Sequence, residues 1–428
     1  MESAEIESTE GKKLESAGRM PAEAFTEDRP VPLLIEPDLA FIRTIQGLGG
    51  ETFKKCFQCG TCSATCPISP REDPFPRKEM AWAAWGMRDR LLRDPDIWLC
   101  HQCNDCSVRC PRTGRPGDVM AAIRRESIIE YSVPRFLARA VNSPGWAPVL
   151  LAIPAVLLGL AVGFRESIGN ALGFLPSAGN RIAFAYSSMI PQWLIMIFFG
   201  FFTLLAIVAL TAGLVRFWKG LKNGGQDGQE PVKGLAASLF SVAVSVLKHE
   251  HFSSCEAARP RYVSHMGMMF GFLALTLVTI WVMTARINPL ITSDFVYPFN
   301  FWNPWRILAN LGGLALLGGC LWMVLERLEE SDGSGRSTYF DWAFLGVLSL
   351  VVVTGFISEM MHYLRLVPHR HVVYFIHLVL VFNLVIYLPY SKFAHIFYRT
   401  VAMVFAESRG RQWGAAATTE DGVDSQVH

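Results

Sequence analysis

Little in this sequence offers a seat for a dinucleotide or a nucleic acid. No Gly-rich dinucleotide fingerprint follows a strand-like stretch, so a flavin or nicotinamide site of that kind is excluded. No CCG-type cysteine cluster is present either, which removes the disulfide chemistry that such clusters perform. Charge of one sign is scarce: the formal net charge is +2 and no basic-aromatic stripe is visible, so no nucleic-acid partner is expected. The first residues lack any long apolar run. Met1 to Glu27 is polar and acidic, without the apolar core of a secretory signal, and the amino terminus is expected to start in the cytoplasm.

What is abundant is apolar surface. With 51% apolar residues in 428 and a mean hydropathy of +0.29, the chain is too apolar for one ordinary globular domain. The excess is localised between a soluble first third and a short polar tail, in runs long enough to cross a bilayer. The expected fold is mainly α: a small α-helical di-cluster ferredoxin domain fused to a six-helix transmembrane cytochrome b bundle. Residues 1–33 read as an extended or disordered segment, 34–140 as the ferredoxin-like head, 141–400 as the membrane domain and 401–428 as a tail. The six spans are expected at about 146–165, 192–218, 263–285, 306–327, 341–364 and 371–399. The connection from Arg216 to Arg261 carries seven Lys and Arg residues, whereas those near 166–191, 286–305 and 365–370 carry few. By the positive-inside rule the head and both termini are expected to be cytoplasmic. Inside the basic connection, Val232 to His251 patterns as an amphipathic surface helix.

Eight of the ten cysteines fall in two arrays, Cys56-x2-Cys59-x2-Cys62-x3-Cys66-Pro67 and Cys100-x2-Cys103-x2-Cys106-x3-Cys110-Pro111. This is the bacterial ferredoxin run twice over. Two-residue spacing lets a tight loop wrap three thiolates around one cube, and the fourth cysteine reaches across to the other. The expected [4Fe-4S] ligand sets are Cys56, Cys59, Cys62 and Cys110, and Cys100, Cys103, Cys106 and Cys66. Zinc would need four thiolates and leave the third and fourth cysteines of each run, and the Cys-Pro endings, unexplained. Cys255 and Cys320 stand apart and read as ordinary buried thiols. Arg109, Arg112 and Arg115 beside the second array read first as solvated surface, with docking of an acidic partner as the sharper alternative.

Histidines at membrane depth are functional candidates because burying them in lipid is costly. His377 and His395 are eighteen residues apart on the last expected span, about five whole turns, so they share one face with an offset of roughly 27 Å. That geometry would stack two haems b. Matching depths suggest His265 with His395 for the inner haem and His362 with His377 for the outer one. Glu359, His369 and His371, near the outer turn, are candidates for handling protons at a quinone site.

These residues resemble a known family, the membrane-bound C subunits of the quinone-interacting membrane-bound oxidoreductase (Qmo) complexes of sulfate-reducing and some sulfur-oxidising prokaryotes. The head, including Lys55-Cys56-Phe57-Gln58-Cys59 and the stretch from Pro76 to Cys100, looks like the C subunit of heterodisulfide reductase. The membrane part looks like the E subunit of heterodisulfide reductase and the gamma subunit of respiratory nitrate reductase. The resemblance implies menaquinone as substrate, a place in the prokaryotic cytoplasmic membrane, and electron exchange with flavin- and iron-sulfur-containing cytoplasmic A and B subunits and, beyond them, adenylylsulfate reductase. A quinone-linked subunit of a heterodisulfide reductase-like or sulfite reductase-linked complex is the alternative. One departure stands out: the gamma subunit has a second histidine where this chain has Leu275, and His362 is expected to replace it.

Overall fold

The structure, a computed structural model, describes residues 36–70, 73–171, 186, 189–224, 231–248, 259–288, 290, 299–329, 335–366 and 369–411. Among them the regular structure is helical throughout. The head begins with α1 (Leu39–Ile45), opened by the Asp38 carboxylate accepting from the Phe41 amide at 2.8 Å. It continues through α2 (Thr61–Ala64), α3 (Arg77–Ala84), α4 (Arg88–Leu92), α5 (Asp96–Leu99), α6 (Asp105–Val108), α7 (Pro116–Tyr131) and α8 (Arg135–Val141). The single helix that the pattern suggests from Arg77 to Arg93 is in fact two. Gly86 breaks it in the left-handed region (φ +66), where a β-carbon would strike the Asp38 backbone at 2.9 Å.

Among the described residues five helices are long and apolar enough to cross a membrane: α9 (Ala147–Gly163, preceded by the turn at Pro144), α11 (Gln192–Lys222), α13 (Arg259–Ile287), α14 (Pro304–Leu328) and α15 (Tyr339–Tyr363). The short α10 (Arg165–Ala171) and α12 (Leu235–Lys248) lie between them. Only 11 to 28% of each apolar window is buried, which leaves a wide apolar surface whose natural cover is lipid. This is a multi-pass membrane protein. Helices α13 and α14 pack most closely, because glycines face one another: a β-carbon on Gly271 would lie 2.5 Å from the Gly312 carbonyl oxygen.

The expected sixth span, 371–399, is divided. Helix α16 (Arg370–Ile386) ends at Tyr387, a 3-10 turn runs over Leu388–Tyr390, and α17 (Ala394–Ser408) follows. Pro389 and the extended Ser391 break the helix where a continuous apolar reading sees none. The 17 residues of α16 reach only about 25 Å. Helix α17 leaves the apolar bundle and enters the head. Its Tyr398, Ala402, Met403 and Phe405 share one core with Trp98, Leu99, Met120 and Ile123 of the head and with Phe217 and Leu221 of α11. Head and membrane helices therefore share a hydrophobic core.

The expected surface helix is α12, which buries Ser238 and Val242 and exposes Leu239, Phe240 and Leu247. His249, His251 and Cys255 lie outside the described residues.

Candidate functional site: two cysteine quartets and the helix behind them

Each array folds into the same loop. In the first, Gln58 (φ 59) and Gly60 (φ +84) are left-handed; in the second, Gln102 (φ 56) and Asn104 (φ 70) take those roles, Asn being one of the few residues that visits this region readily. The positive φ values turn the chain sharply, so that amides face sulfur: Gln58 N is 3.5 Å and its Nε2 3.3 Å from Cys56 Sγ, and Gln102 N is 3.3 Å from Cys100 Sγ. Donors to sulfur of this kind tune an iron-sulfur centre.

The fourth cysteines cross over. Cys56, Cys59, Cys62 and Cys110 line one cavity, bordered by Arg77, Met80 and Arg112. Gly114 is required there, since a β-carbon would sit 3.2 Å from Cys110 Sγ. Cys66 in turn lies within electrostatic reach of Cys100 and Cys103, and Cys106 within reach of Cys100, Cys103 and Cys66. Burial and the neighbouring thiolates push the thiol of Cys62 up to about 11 and that of Cys66 to about 12. Four crowded thiols from two separate loops are a donor set that a multinuclear cationic core relieves. The residues fit two [4Fe-4S] clusters.

The quartets differ in what surrounds them. Around the first, Cys59 is exposed, its thiol drawn below the usual value chiefly by a hydrogen bond from Thr61. The second lies against α17. Trp98, two residues before Cys100, stacks on Tyr398 with ring centres 5.4 Å apart, and Arg399 Nη2 is 3.0 Å from His101 Nδ1. Arg124 ties down the same loop by donating to the carbonyls of Ile97 (2.6 Å) and Cys100 (2.8 Å).

One turn before Tyr398 on α17 is His395. Its Nδ1 is hydrogen-bonded to the Lys392 carbonyl, which directs Nε2 outward as the available ligand atom. His265 on α13 is near enough to act on it electrostatically. His265 and His395 are thus near one another, whereas His362 and His377 are set at different levels. His377 Nδ1 lies 3.0 Å from Thr354 Oγ1, and its ring would touch a β-carbon on Gly355 at 3.2 Å. It is therefore level with Gly355, seven residues from His362 and about 10 Å away along α15. The expected matching depths differ because α15 ends at Tyr363 and α16 starts at Arg370, which leaves His362 one residue from its helix end and His377 seven residues from the start of its own. Leu275 packs in an apolar cluster with Phe272 and Phe356.

His362 faces a different group. Tyr186, in a connection that its sequence marks only as a loop, is 6.2 Å from the His362 ring, 6.4 Å from that of His371, and stacked on Tyr374 at 4.3 Å. Its hydroxyl donates to the Ser358 carbonyl at 2.5 Å. Glu359 accepts from Arg306 (2.8 and 3.0 Å) and Asn310 (3.1 Å) on α14, so this carboxylate is neutralised by an ion pair. His369 is exposed at the start of α16.

A buried charge network also escaped the sequence. Lys78 Nζ reaches Asp73 (2.5 Å), Asp96 (2.6 Å) and Asp94 (3.4 Å), and Arg411, just beyond α17, pairs with Asp73 (3.1 Å) and Asp96. Glu79, fully buried beside them, has no hydrogen-bond donor on either oxygen. Burial first, then Asp94 and Asp96, raise its proton affinity well above the ordinary glutamate value. The three carboxylates are close enough together to suggest a cation, but the Lys78 ammonium already serves as one. Only the run Asp94-Pro95-Asp96 ahead of Ile97-Trp98-Leu99 hints at this network, and its Arg411 partner is 315 residues away.

Comparison with known proteins matches the two cysteine arrays and the membrane part to different families. Residues 52–113 match the 4Fe-4S dicluster domain family, and residues 155–416 match the family described as citrate utilization protein B. Over 315 residues the chain is 25% identical to citrate utilization protein B of Escherichia coli, covering 69% of this chain and 76% of that one. Over 90 residues the head is 37% identical to the C subunit of H(2):CoB-CoM heterodisulfide,ferredoxin reductase of Methanothermobacter marburgensis, 21% of this chain and 49% of the relative. A further 100 residues are 25% identical to the E subunit of dihydromethanophenazine:CoB--CoM heterodisulfide reductase of Methanosarcina thermophila, 23% of this chain and 38% of the relative. The chain thus spans about half or less of these heterodisulfide reductase subunits. No solved structure matches it significantly. The similarity lies with the C and E subunits of heterodisulfide reductases as a group, and a membrane-associated iron-sulfur electron-transfer subunit is what it indicates. By the match over most of its membrane part, the chain belongs to the citrate utilization protein B family.

Proposed function

We propose that this chain is the membrane subunit through which a menaquinone pool exchanges electrons with cytoplasmic flavin- and iron-sulfur-containing subunits, and through them with adenylylsulfate reductase, as in Qmo complexes. The observation that carries the reading is the seating of the second cysteine loop on α17, the helix that bears His395. When bound, two [4Fe-4S] clusters and haem b would supply one-electron carriers. The residues do the rest. Cys56, Cys59, Cys62 and Cys110 would hold the cluster far from the bundle, and Cys100, Cys103, Cys106 and Cys66 the one beside it. His265 and His395 would hold the haem, with Lys392 fixing the His395 ring. Shared packing of α5, α7 and α17 keeps these ligands at fixed separation, so no part needs to move.

At the opposite end of α15, Tyr186, His362 and His371 gather the polar rings needed to bind a quinone head group and accept its protons. Glu359, held by Arg306, would position this end of α15. With His362 and His377 at different depths, no step is assigned to a second haem.

The similarity to Escherichia coli citrate utilization protein B across 69% of the chain favours a second reading, in which the same path serves another cytoplasmic oxidoreductase. Iron, sulfide and pyridine haemochrome assays on the detergent-purified chain, wild type beside His395→Ala, test the path. About eight non-haem irons per chain and haem that is lost in the variant are expected. Haem retained in His395→Ala, or about four non-haem irons in the wild type, would overturn the assignment.

A further inference from the structure

An electron path needs an exit, and one face of the head is built differently from the rest. Phe57, between Cys56 and Cys59, is 67% exposed at the mouth of the first cysteine cavity. Single exposed apolar side chains are ordinary. This one is held in place: the Arg112 guanidinium stacks over its ring at 4.0 Å. Lys54 and Lys55, just ahead of Cys56 on the chain, are exposed, as are Arg77 and Arg112, which line the cavity itself.

Several acidic residues of the described head are engaged elsewhere. Glu51 pairs with Arg336, and Asp118 with Arg115 at 2.6 Å. Asp73, Asp94 and Asp96 are bound up with Lys78 and Arg411, and Asp89 and Glu130 with Arg88, Arg93 and Arg135. The face over Cys59 therefore presents an aromatic anchor among exposed positive charges, above the more exposed of the two quartets. An aromatic centre with a charged rim is the anatomy of a small transient interface.

We infer that the face formed by Phe57, Arg112, Arg77, Lys54 and Lys55 docks a redox protein that presents a carboxylate-rich rim around its own electron-carrying cofactor. The inference rests on the electron-transfer reading above and adds where the partner sits and what charge it carries. Arg115, grouped with Arg109 and Arg112 by sequence, has no part in this face, because Asp118 holds it.

The test is a binding measurement on the full chain in detergent, with its clusters loaded. The probes are an acidic plant-type ferredoxin and a basic cytochrome c. For the wild type, ferredoxin should bind at least about tenfold more tightly than cytochrome c, and this preference should shrink as salt is raised. Phe57→Ala should weaken ferredoxin binding about tenfold, a change of about 1.4 kcal/mol. Lys54→Glu with Lys55→Glu, away from the cavity lining, should reverse the preference while leaving the visible absorbance of the clusters intact. Equal affinity for both probes, or affinities indifferent to both variants, would overturn the inference. Reduction of the clusters by a menaquinol analogue, followed in the same preparations, tests the electron-transfer reading separately: its absence in the wild type would sink that reading even if ferredoxin bound as expected.

Discussion

The two cysteine loops are nearly superimposable in sequence and opposite in situation. Position by position, Cys56-Phe57-Gln58-Cys59-Gly60 repeats as Cys100-His101-Gln102-Cys103-Asn104, with the same two left-handed residues. The second residue of each loop differs, and so does its surroundings. Phe57 points to solvent under Arg112, whereas His101 meets Arg399 on the helix that carries His395. Local spacing thus makes two similar cysteine quartets, and packing by distant segments sets one against α17 and leaves the other open. In the proposed path, that difference would make one the inner station and the other the outer one.

The strongest way to break this comparison is to remove one quartet at a time. Cys103→Ala should abolish quinol-driven reduction of everything beyond it, so that the first cluster is still assembled but no longer reduced by a menaquinol analogue. Cys59→Ala should leave the second cluster reducible and abolish onward transfer only. Electron paramagnetic resonance of quinol-reduced samples distinguishes the two; identical spectra from both variants would mean that the loops are not ordered in series.

Next in size is the clamp that holds the second loop against α17. Arg411 pairs with Asp73 and Asp96, and Asp96 begins the short helix leading to Cys100. Arg411→Ala removes one cation from a buried group of carboxylates, which should cost about 3–5 kcal/mol. Thermal unfolding in detergent should show a clearly lower midpoint for this variant, and an unchanged midpoint would mean that Lys78 alone suffices.

Glu79 adds a pH dependence to the same network. Its folded-state proton affinity lies above the ordinary 4.5, through burial and then Asp94 and Asp96. The folded chain therefore holds a proton that the unfolded chain has released. Stability from this group is complete below the ordinary value and is lost as pH rises through the interval up to the raised one. Glu79→Gln, which keeps the shape and cannot ionise, should flatten that decline. A wild type whose midpoint climbs with pH across this interval would refute the assignment.

How much of this was legible in the sequence depends on range. The quartets are written in spacings of two and three residues, so their crossing pattern follows from local geometry. Helix existence is equally plain where apolar runs are long, as in α11 or α14. Depth is not local: whether His362 meets His377 depends on where the turn between two helices is centred, and an error of a few residues there becomes about 10 Å. The break at Pro389 is visible as a proline, but only the packing of Tyr398 and Phe405 into the head explains why the chain leaves the bundle at that point. Tyr186, Arg306 and Arg411 gain their roles from partners 172, 53 and 315 residues away. No window of sequence contains both halves of such contacts.

The finest test exchanges the residue that separates the two loops. His101→Phe gives the second loop the side chain of the first and removes the nitrogen that Arg399 approaches at 3.0 Å. A single hydrogen bond to a charged group is at stake, so the loss of stability should be about 1.5–3 kcal/mol at most, less if Arg399 finds another acceptor. The electronic consequence should be local. His101 adjoins Cys100 on the chain and has no contact with the first cavity, so the resonance spectrum of the second cluster should change while that of the first stays as it was. If both spectra shifted together, the two sites would be coupled through the shared core more strongly than their separate surroundings imply, and the wire would behave as one unit rather than two stations.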